Sequence, residues 1–316
     1  MKIIVTGAAG AIGSHLAERL IQEGHEVIGI DALTSYYDPA IKTNTAKILE
    51  SKGVSMKYLN LAIDDISEII RDAQAIFHLA AQPGISAATP FDDYLENNII
   101  ATEKLIESLK NNPQLEVFIN ASTSSVYGAF ANGPEATTPA PTSNYGVTKL
   151  AAEQLALSWY RDKKLPVVNL RFFSVYGERE RPEKFFYKLI KAMHEDEEIT
   201  VFEGSESHVR SYTYVGDIID GCILALEKRS SILGETFNLG NDVTNTTGEA
   251  IELIEKIMGK KARIKRVPKR AGDQLETGAH IEKAREQLEY SPKVRLPEGL
   301  EKEITWYKEK VHGKFK

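Results

Sequence analysis

A single cysteine, Cys222, leaves the chain unable to close an internal disulfide, which fits a reducing cytoplasm. No partner that would activate a thiolate is evident around it, so it reads as a small core filler. No apolar run approaches the ~18 residues needed to cross a bilayer. The first apolar stretch, Ile3-Ile4-Val5, gives way almost at once to Gly7, too soon for a signal peptide. The expectation is an uncleaved cytoplasmic chain, in which the glycosylation patterns at Asn120-Ala-Ser122 and Asn245-Thr-Thr247 are coincidental. There is no excess of basic residues: the net charge of −6 argues against a nucleic-acid or anionic-membrane partner. Internal repeats and low-complexity tracts are also missing, and no bound metal is expected. What is present is ordinary for a globular protein, with 42% hydrophobic and 27% charged residues among 316. That length allows one large domain or two lobes around a sizeable core.

The N-terminal third carries the first functional signal. Lys2-Ile-Ile-Val-Thr6 reads as a short buried strand, followed by Gly7-Ala-Ala-Gly10-Ala11-Ile12-Gly13 and a helix with Leu16, Leu20 and Ile21 on its apolar side. Gly24 ends that helix, and Glu26–Ile30 forms a second strand ending at Asp31. Strand, glycine turn, helix, strand and acid together form a dinucleotide-binding unit. The glycines let the backbone approach a pyrophosphate, and the helix N-terminus offers N–H donors and positive dipole. Asp31 can accept from both ribose hydroxyls and would repel a 2′-phosphate, so NAD is favoured over NADP.

Further strand–helix units follow. Strands are expected at Ser55–Leu59, Ala75–Leu79, Leu115–Asn120 and Leu165–Leu170, with helices at 65–72, 91–109 and 145–161. The 91–109 helix carries Leu95, Ile99, Thr102, Leu105, Ile106 and Leu109 along one side. This alternation predicts an α/β fold with a doubly wound parallel sheet of Rossmann type. After Arg171 the rhythm loosens. Val215–Glu227 and Thr236–Leu239 read as a helix and strand returning to the sheet, so a smaller, discontinuous C-terminal lobe is expected. The implied domains are residues 1–171 plus about 215–240 for the cofactor, and 172–214 with 241–316 for the substrate. The cleft between them would lie beyond the strand carboxyl ends.

Tyr145-Gly-Val-Thr-Lys149 places a phenol and an ammonium one helical turn apart on one face. A tyrosine titrates near ~10 in water, and a nearby ammonium together with a bound nicotinamide cation favours the phenolate. The pair can therefore abstract a proton wherever a hydride acceptor lies beside it.

Thr6-Gly-x-x-Gly-x-x-Gly13, Asp31, His78-Leu-Ala-Ala81, Ser122-Thr-Ser-Ser-Val-Tyr-Gly128 and Tyr145-x-x-x-Lys149 stand in order along the chain. Together they resemble the extended short-chain dehydrogenase/reductase family, specifically its nucleotide-sugar epimerases and dehydratases. The resemblance implies Tyr145 as acid/base, Lys149 as the residue that holds the nicotinamide ribose and depresses the tyrosine pKa, and Thr123 as the partner of the reacting sugar hydroxyl. It places Gly7, Gly10, Ala11, Ile12, Gly13, Asp31, Leu79, Ala80 and Ala81 on the cofactor, with either Asn60 or Asp64 at the adenine. Ala11 departs from the bulkier residue common in the family.

The residues after Thr123 bear on the reaction. Within the family, 4,6-dehydratases carry Asp-Glu there and UDP-glucuronate decarboxylases typically a glutamate, whereas this chain has Ser124-Ser125. Hydroxyls are poor proton shuttles at neutral pH, which leaves oxidation and hydride return at C4. Leu170-Arg-Phe-Phe-Ser-Val-Tyr-Gly-Glu-Arg-Glu-Arg181-Pro and Tyr36-Tyr-Asp-Pro39 are similar to segments of the family's UDP-glucuronate 4-epimerases. There Ser174 and Arg181 would receive the C6 carboxylate, with Arg179 as a competing arginine. Ser124 and Ser125 would face the sugar, and Arg210, Arg270 and Asp273 would anchor the UDP. Neutral UDP-glucose/UDP-galactose 4-epimerisation, UDP-glucuronate decarboxylation and a catalytically silent NAD- or sugar-nucleotide-binding protein are the competing expectations. A homodimer built on helices 91–109 and 145–161 is expected by the same resemblance.

Overall fold

Seven apolar runs become the strands of one sheet: β1 (Lys2–Thr6), β2 (Glu26–Ile30), β3 (Ser55–Lys57), β4 (Ala75–His78), β5 (Val117–Thr123), β6 (Val167–Phe172) and β7 (Thr236–Leu239). The computed structural model describes residues 1–86, 88–268 and 274–311; Arg270 and Asp273 lie outside them. The strand order is β7-β6-β5-β4-β1-β2-β3, and every neighbouring pair is parallel. Strand order reverses between β1 and β4, which opens a crevice at their carboxyl ends.

The period of two along a strand decides the layers. Ile3 and Val5 point to a core shared with Leu16, Leu20, Ile218 and Cys222 from helices Ala11–Gln22 and Val215–Glu227. Ile4 faces the opposite core, with Ile76, Phe118, Leu105 and Ala156. With helices on both faces the strands need no polar side, hence the buried apolar runs Ile3–Val5 and Ala75–Phe77 at the sheet's centre. Each fully buried Ile or Leu contributes about 1.5–3 kcal/mol. A third core lies apart from the sheet, where helices Phe185–Glu195, Thr247–Met258 and Leu296–Trp306 bring together Leu189, Ile190, Ile254, Leu300 and Ile304. Ile281, Ala284, Leu288 and Tyr290 pack instead into the sheet's own core, although they lie within the 241–316 stretch.

Two elements differ from expectation. A helix at Pro39–Ser51 was not foreseen; Asp38 caps it by accepting from the Ala40 N–H at 2.9 Å, with Pro39 in the first turn. The 91–109 stretch is not one regular helix. Phe91–Tyr94 passes through a π turn at Leu95–Ile100 before Ala101–Ser108 resumes. The wider turn rotates the inward face, so Tyr94 and Asn98 are buried while Leu95 and Ile99 are only half-buried.

Candidate active site

The crevice at the sheet's carboxyl edge widens into a cavity of about 970 Å³, large enough for two extended ligands side by side. Its floor at one end is the glycine turn. Gly10 precedes the Ala11–Gln22 helix with no side-chain cap, so the first-turn N–H groups remain available to an anion. A Cβ on Gly13 would lie 2.2 Å from the Gly7 carbonyl oxygen, so only glycine lets the turn fold this tightly. Asp31 closes this end: its carboxylate accepts from the Ala9 and Leu33 N–H groups, both at 2.9 Å. Gly7, Ala11, Ile12, Leu79, Ala80 and Ala81 complete the wall. Asn60 lines the cavity, whereas the Asp64 carboxylate turns to the Asn60 N–H at 2.7 Å. Gln82, a buried residue, borders the same space, and its amide nitrogen has no partner among the described residues. An uncapped helix end, a cradle that excludes Cβ atoms and an acid on the cavity wall fit a dinucleotide.

The loop after β4 is fixed from behind. Thr6 Oγ1 accepts from the Leu79 and Ala80 N–H groups at 3.2 and 3.1 Å, so its own proton goes to His78 Nδ1 at 2.9 Å. His78 then donates through Nε2 to Thr102 at 2.9 Å. Burial, helped by the charge on Lys149, pushes the His78 pKa down to about 3, so the ring stays neutral in this chain of bonds.

Tyr145 and Lys149 lie on helix Asn144–Lys163, whose N-cap Ser143 accepts from the Gly146 N–H at 3.1 Å. Both line the cavity with Thr123, Ser124 and Ser125. Thr123 caps the short 3₁₀ turn Ser124–Tyr127, accepting from the Ser125 N–H at 3.2 Å. The electrostatics differ from the sequence reading. Burial raises the Tyr145 pKa above its ordinary value; Arg181 and the hydrogen bond to Thr123 pull it down, and Tyr94 adds to the rise. Arg181 supplies a positive charge that favours the phenolate, and burial lowers the pKa of Lys149 itself to about 8 against the pull of Glu153.

Arg181 enters the cavity between two loops. Its guanidinium lies 5.9 Å from the centre of the Tyr36 ring, and a Cβ on Gly84 would come within 2.7 Å of Nη2. The Gly84 carbonyl accepts from the Tyr94 hydroxyl at 2.7 Å, and the Tyr94 and Tyr145 rings are 6.4 Å apart. Nη1 of Arg181 is buried with no partner among the described residues. Arg179 is drawn away instead, to Glu18 at 2.8 Å. Ser174 shares the cavity wall with Arg181, Arg210 and Gln274. Gln274 donates to the Gly128 carbonyl at 3.0 Å, and Arg210 to the Val209 and Leu275 carbonyls at 2.9 and 3.2 Å.

Several neighbours were missed from sequence. Glu153 continues the Tyr145–Lys149 ladder by one more turn and pairs with Arg171, Nε to Oε2 at 3.0 Å, while Ser122 donates to the same oxygen at 2.8 Å. Arg171 also donates to the Tyr127 hydroxyl at 2.7 Å. Losing one side of such a buried pair costs about 3–5 kcal/mol, and the pair ties the helix to the ends of β5 and β6. The i,i+4 spacing of Glu153 from Lys149 was the available signal. Asn98, placed inward by the π turn, accepts from the Gln82 N–H at 2.7 Å and donates to Thr148 at 3.0 Å. Lys42, on the unforeseen helix, lines the cavity and donates to Thr34 Oγ1 at 2.9 Å.

Residues 3–240 match the family described as NAD dependent epimerase/dehydratase. The uncharacterised UDP-glucose epimerase YtcB of Bacillus subtilis is 38% identical over 318 residues, covering 99% of this chain and 100% of that one. UDP-glucuronate 4-epimerase 4 of Arabidopsis thaliana is 34% identical, covering 96% of this chain and 75% of that one. The crystal structure of UDP-glucuronic acid 4-epimerase from Bacillus cereus, in complex with UDP-glucuronic acid and NAD, is 39% identical with a TM-score of 0.93, covering 98% of this chain and 99% of that chain. The seven-stranded parallel sheet, the glycine turn and the full-length similarity agree, and the chain belongs to the NAD dependent epimerase/dehydratase family.

Proposed function

We propose that the protein interconverts the C4 epimers of a UDP-hexuronic acid, UDP-glucuronate and UDP-galacturonate, with NAD as its cofactor. The observation that carries this reading is Arg181, which lines the same cavity as Tyr145 and has a buried guanidinium nitrogen with no partner among the described residues. A guanidinium offers a planar fork of donors matched to a carboxylate. Beside a neutral hydroxymethyl group it would stay partly unpaired, which costs more than the missing bond alone. The similarity to the Bacillus cereus and Arabidopsis thaliana enzymes supports the same substrate.

NAD, when bound, supplies the hydride acceptor for C4 and later returns that hydride. The chain's own residues do the rest. Tyr145 takes the C4 hydroxyl proton, and Thr123 holds that hydroxyl in place. Lys149 contacts the nicotinamide ribose, and Gly7 to Gly13 with Asp31 hold the remainder of the dinucleotide. Arg210, with Arg270 and Asp273 of the 269–273 segment, anchors the UDP, so that the 4-keto sugar turns about its diphosphate and presents its other face. That 4-keto sugar is a β-keto acid, ready to lose carbon dioxide. Ser174 and Arg181 restrain its carboxylate so that the C5–C6 bond stays out of line with the ketone π system. Ser124 and Ser125 put no carboxyl group next to Thr123, which disfavours elimination and decarboxylation.

The substrate lobe comprises 172–214 and 241–316 in this reading, apart from the residues around 281–290 that pack back on the sheet core, and the cofactor domain 1–171 with about 215–240. Exposed Phe91, Ile100 and Val147 support pairing of the 91–108 and 144–163 helices with a second copy. The buried free thiol of Cys222 supports a cytoplasmic setting, and no described helix is long and apolar enough to cross a membrane. Incubation with UDP-glucuronate, UDP-glucose and UDP-N-acetylglucosamine in parallel, with chromatographic identification of products, tests the substrate. UDP-galacturonate is expected as the dominant product. Preferential turnover of UDP-glucose, the activity in the name of the Bacillus subtilis relative, would replace this reading with the neutral-sugar one.

A further inference from the structure

Ser174 has φ +37°, a left-handed conformation that costs a residue with a side chain about 1–3 kcal/mol. Its backbone is held there by the Thr213 N–H, which donates to the Ser174 carbonyl at 3.2 Å. Its hydroxyl lies 3.2 Å from Thr277 Oγ1. Thr277 is fully buried and sits on the short strand Glu276–Thr277, paired in parallel with Val209–Arg210 so that Thr277 stands opposite Arg210. The Ser211 N–H is shared between the Thr277 carbonyl at 2.8 Å and its Oγ1 at 3.3 Å.

These contacts fix the direction of the hydroxyl bond. A buried hydroxyl proton without an acceptor is costly, and a hydroxyl carries one donor and two acceptor positions. Ser174 Oγ is the sole acceptor within reach of the Thr277 proton among the described residues. Thr277 therefore donates to Ser174, and Ser174 keeps its own proton for the cavity that it lines.

We propose that Thr277 is a positioning residue for the uronate end of the substrate: by donating to Ser174 Oγ it aims the Ser174 proton at the C6 carboxylate. Resting on the uronate reading above, this explains why a strained serine is tolerated at 174, since the strain and the buried threonine together fix one hydroxyl direction. When the carboxylate is poorly held, the C5–C6 bond of the 4-keto intermediate aligns with the ketone. It then breaks, its electron pair enters the C4 carbonyl to give the enolate, carbon dioxide leaves, C5 takes a proton from solvent, and return of the hydride taken from C4 reduces the resulting UDP-4-keto-pentose to a UDP-pentose. Thr277 thus acts on affinity for the uronate and on the fate of the intermediate together.

The test compares Thr277→Val, Thr277→Ala and Thr277→Ser with wild type in the full NAD-loaded protein. The readouts are KM and kcat for UDP-glucuronate, the fraction of turnover ending in a decarboxylated UDP-pentose product, and the Kd of UDP. Val and Ala both remove the hydroxyl but differ in size, so a packing defect in one does not hide the loss of the hydrogen bond. Both are expected to raise KM about tenfold, as for one hydrogen bond to a charged group, and to raise the decarboxylated fraction several-fold. UDP affinity should be unchanged, and Ser should restore wild-type behaviour. Unaltered KM and product fraction in Val and Ala would overturn the proposal. So would equal weakening of UDP and UDP-glucuronate, because that marks a strand-pairing role beside Arg210. A wild-type protein inactive on UDP-glucuronate would overturn the uronate reading itself, and this proposal with it.

Discussion

Tyr145→Phe is expected to lower kcat on UDP-glucuronate by about 10³-fold, within the range a positioned acid/base supplies, while UDP-glucuronate still binds. Loss of one oxygen leaves the ring against Tyr94 and the helix cap at Ser143 in place, so the effect falls on proton transfer. Burial holds the phenol above its ordinary pKa, so at neutral pH it is protonated. Ionisation must come from the positive charges gathered around it, Arg181 and the nicotinamide cation once bound. Because the phenolate is the active form, kcat/KM in wild type is expected to rise with pH up to the Tyr145 pKa of the NAD-loaded protein before substrate binds. Initial rates by chromatography and substrate affinity by calorimetry separate the two consequences. A Phe variant with wild-type kcat would remove Tyr145 from the chemistry.

Arg181→Ala is expected to raise KM for UDP-glucuronate about 10- to 100-fold, corresponding to about 1.5–3 kcal/mol for charge-assisted hydrogen bonds, with UDP affinity retained. Decarboxylated product should appear alongside, since the carboxylate of the keto intermediate loses its principal restraint. Arg181→Lys should recover only part of the loss, because a point charge cannot reproduce the fork. A second effect is specific to this structure. The same guanidinium pulls Tyr145 down, so its removal raises the tyrosine pKa and moves the rising limb of the pH–rate profile to higher pH, for any substrate. A variant with weaker binding but an unmoved profile would separate the two roles. Unchanged kinetics on UDP-glucuronate would sink the assignment of the C6 site.

Much of this arrangement is legible from local patterns. The strand–glycine–helix run at 2–22 declares itself because buried strands, tight turns and helix starts each restrict residue type. Val215–Glu227 and Thr236–Leu239 are equally plain, because an apolar helix and a short strand follow a loop rich in polar residues. The Pro39–Ser51 helix was harder to see because its inward face holds Lys42 and Thr45 beside Ala46 and Leu49, although Asp38-Pro39 is a sound start signal. The π turn at 95–100 leaves no mark in a 3.6-residue periodicity, so the inward role of Asn98 was missed. Two-residue strands such as Val209–Arg210 and Glu276–Thr277 exist only through long-range pairing. The choice of Arg181 over Arg179 depended on which one finds a carboxylate outside the cavity, and Glu18 takes Arg179. Depth in the fold, which sets the Tyr145 and Lys149 ionisation, is likewise invisible in a spacing of four.

The most direct test of the central claim, oxidation at C4 and return of the same hydride, uses UDP-glucuronate carrying deuterium at C4. The NAD-loaded protein should yield UDP-galacturonate with the deuterium still at C4, because the hydride leaves and returns without meeting solvent. Deuterium lost to water would contradict the account, as would inversion in which the label never appears on the cofactor.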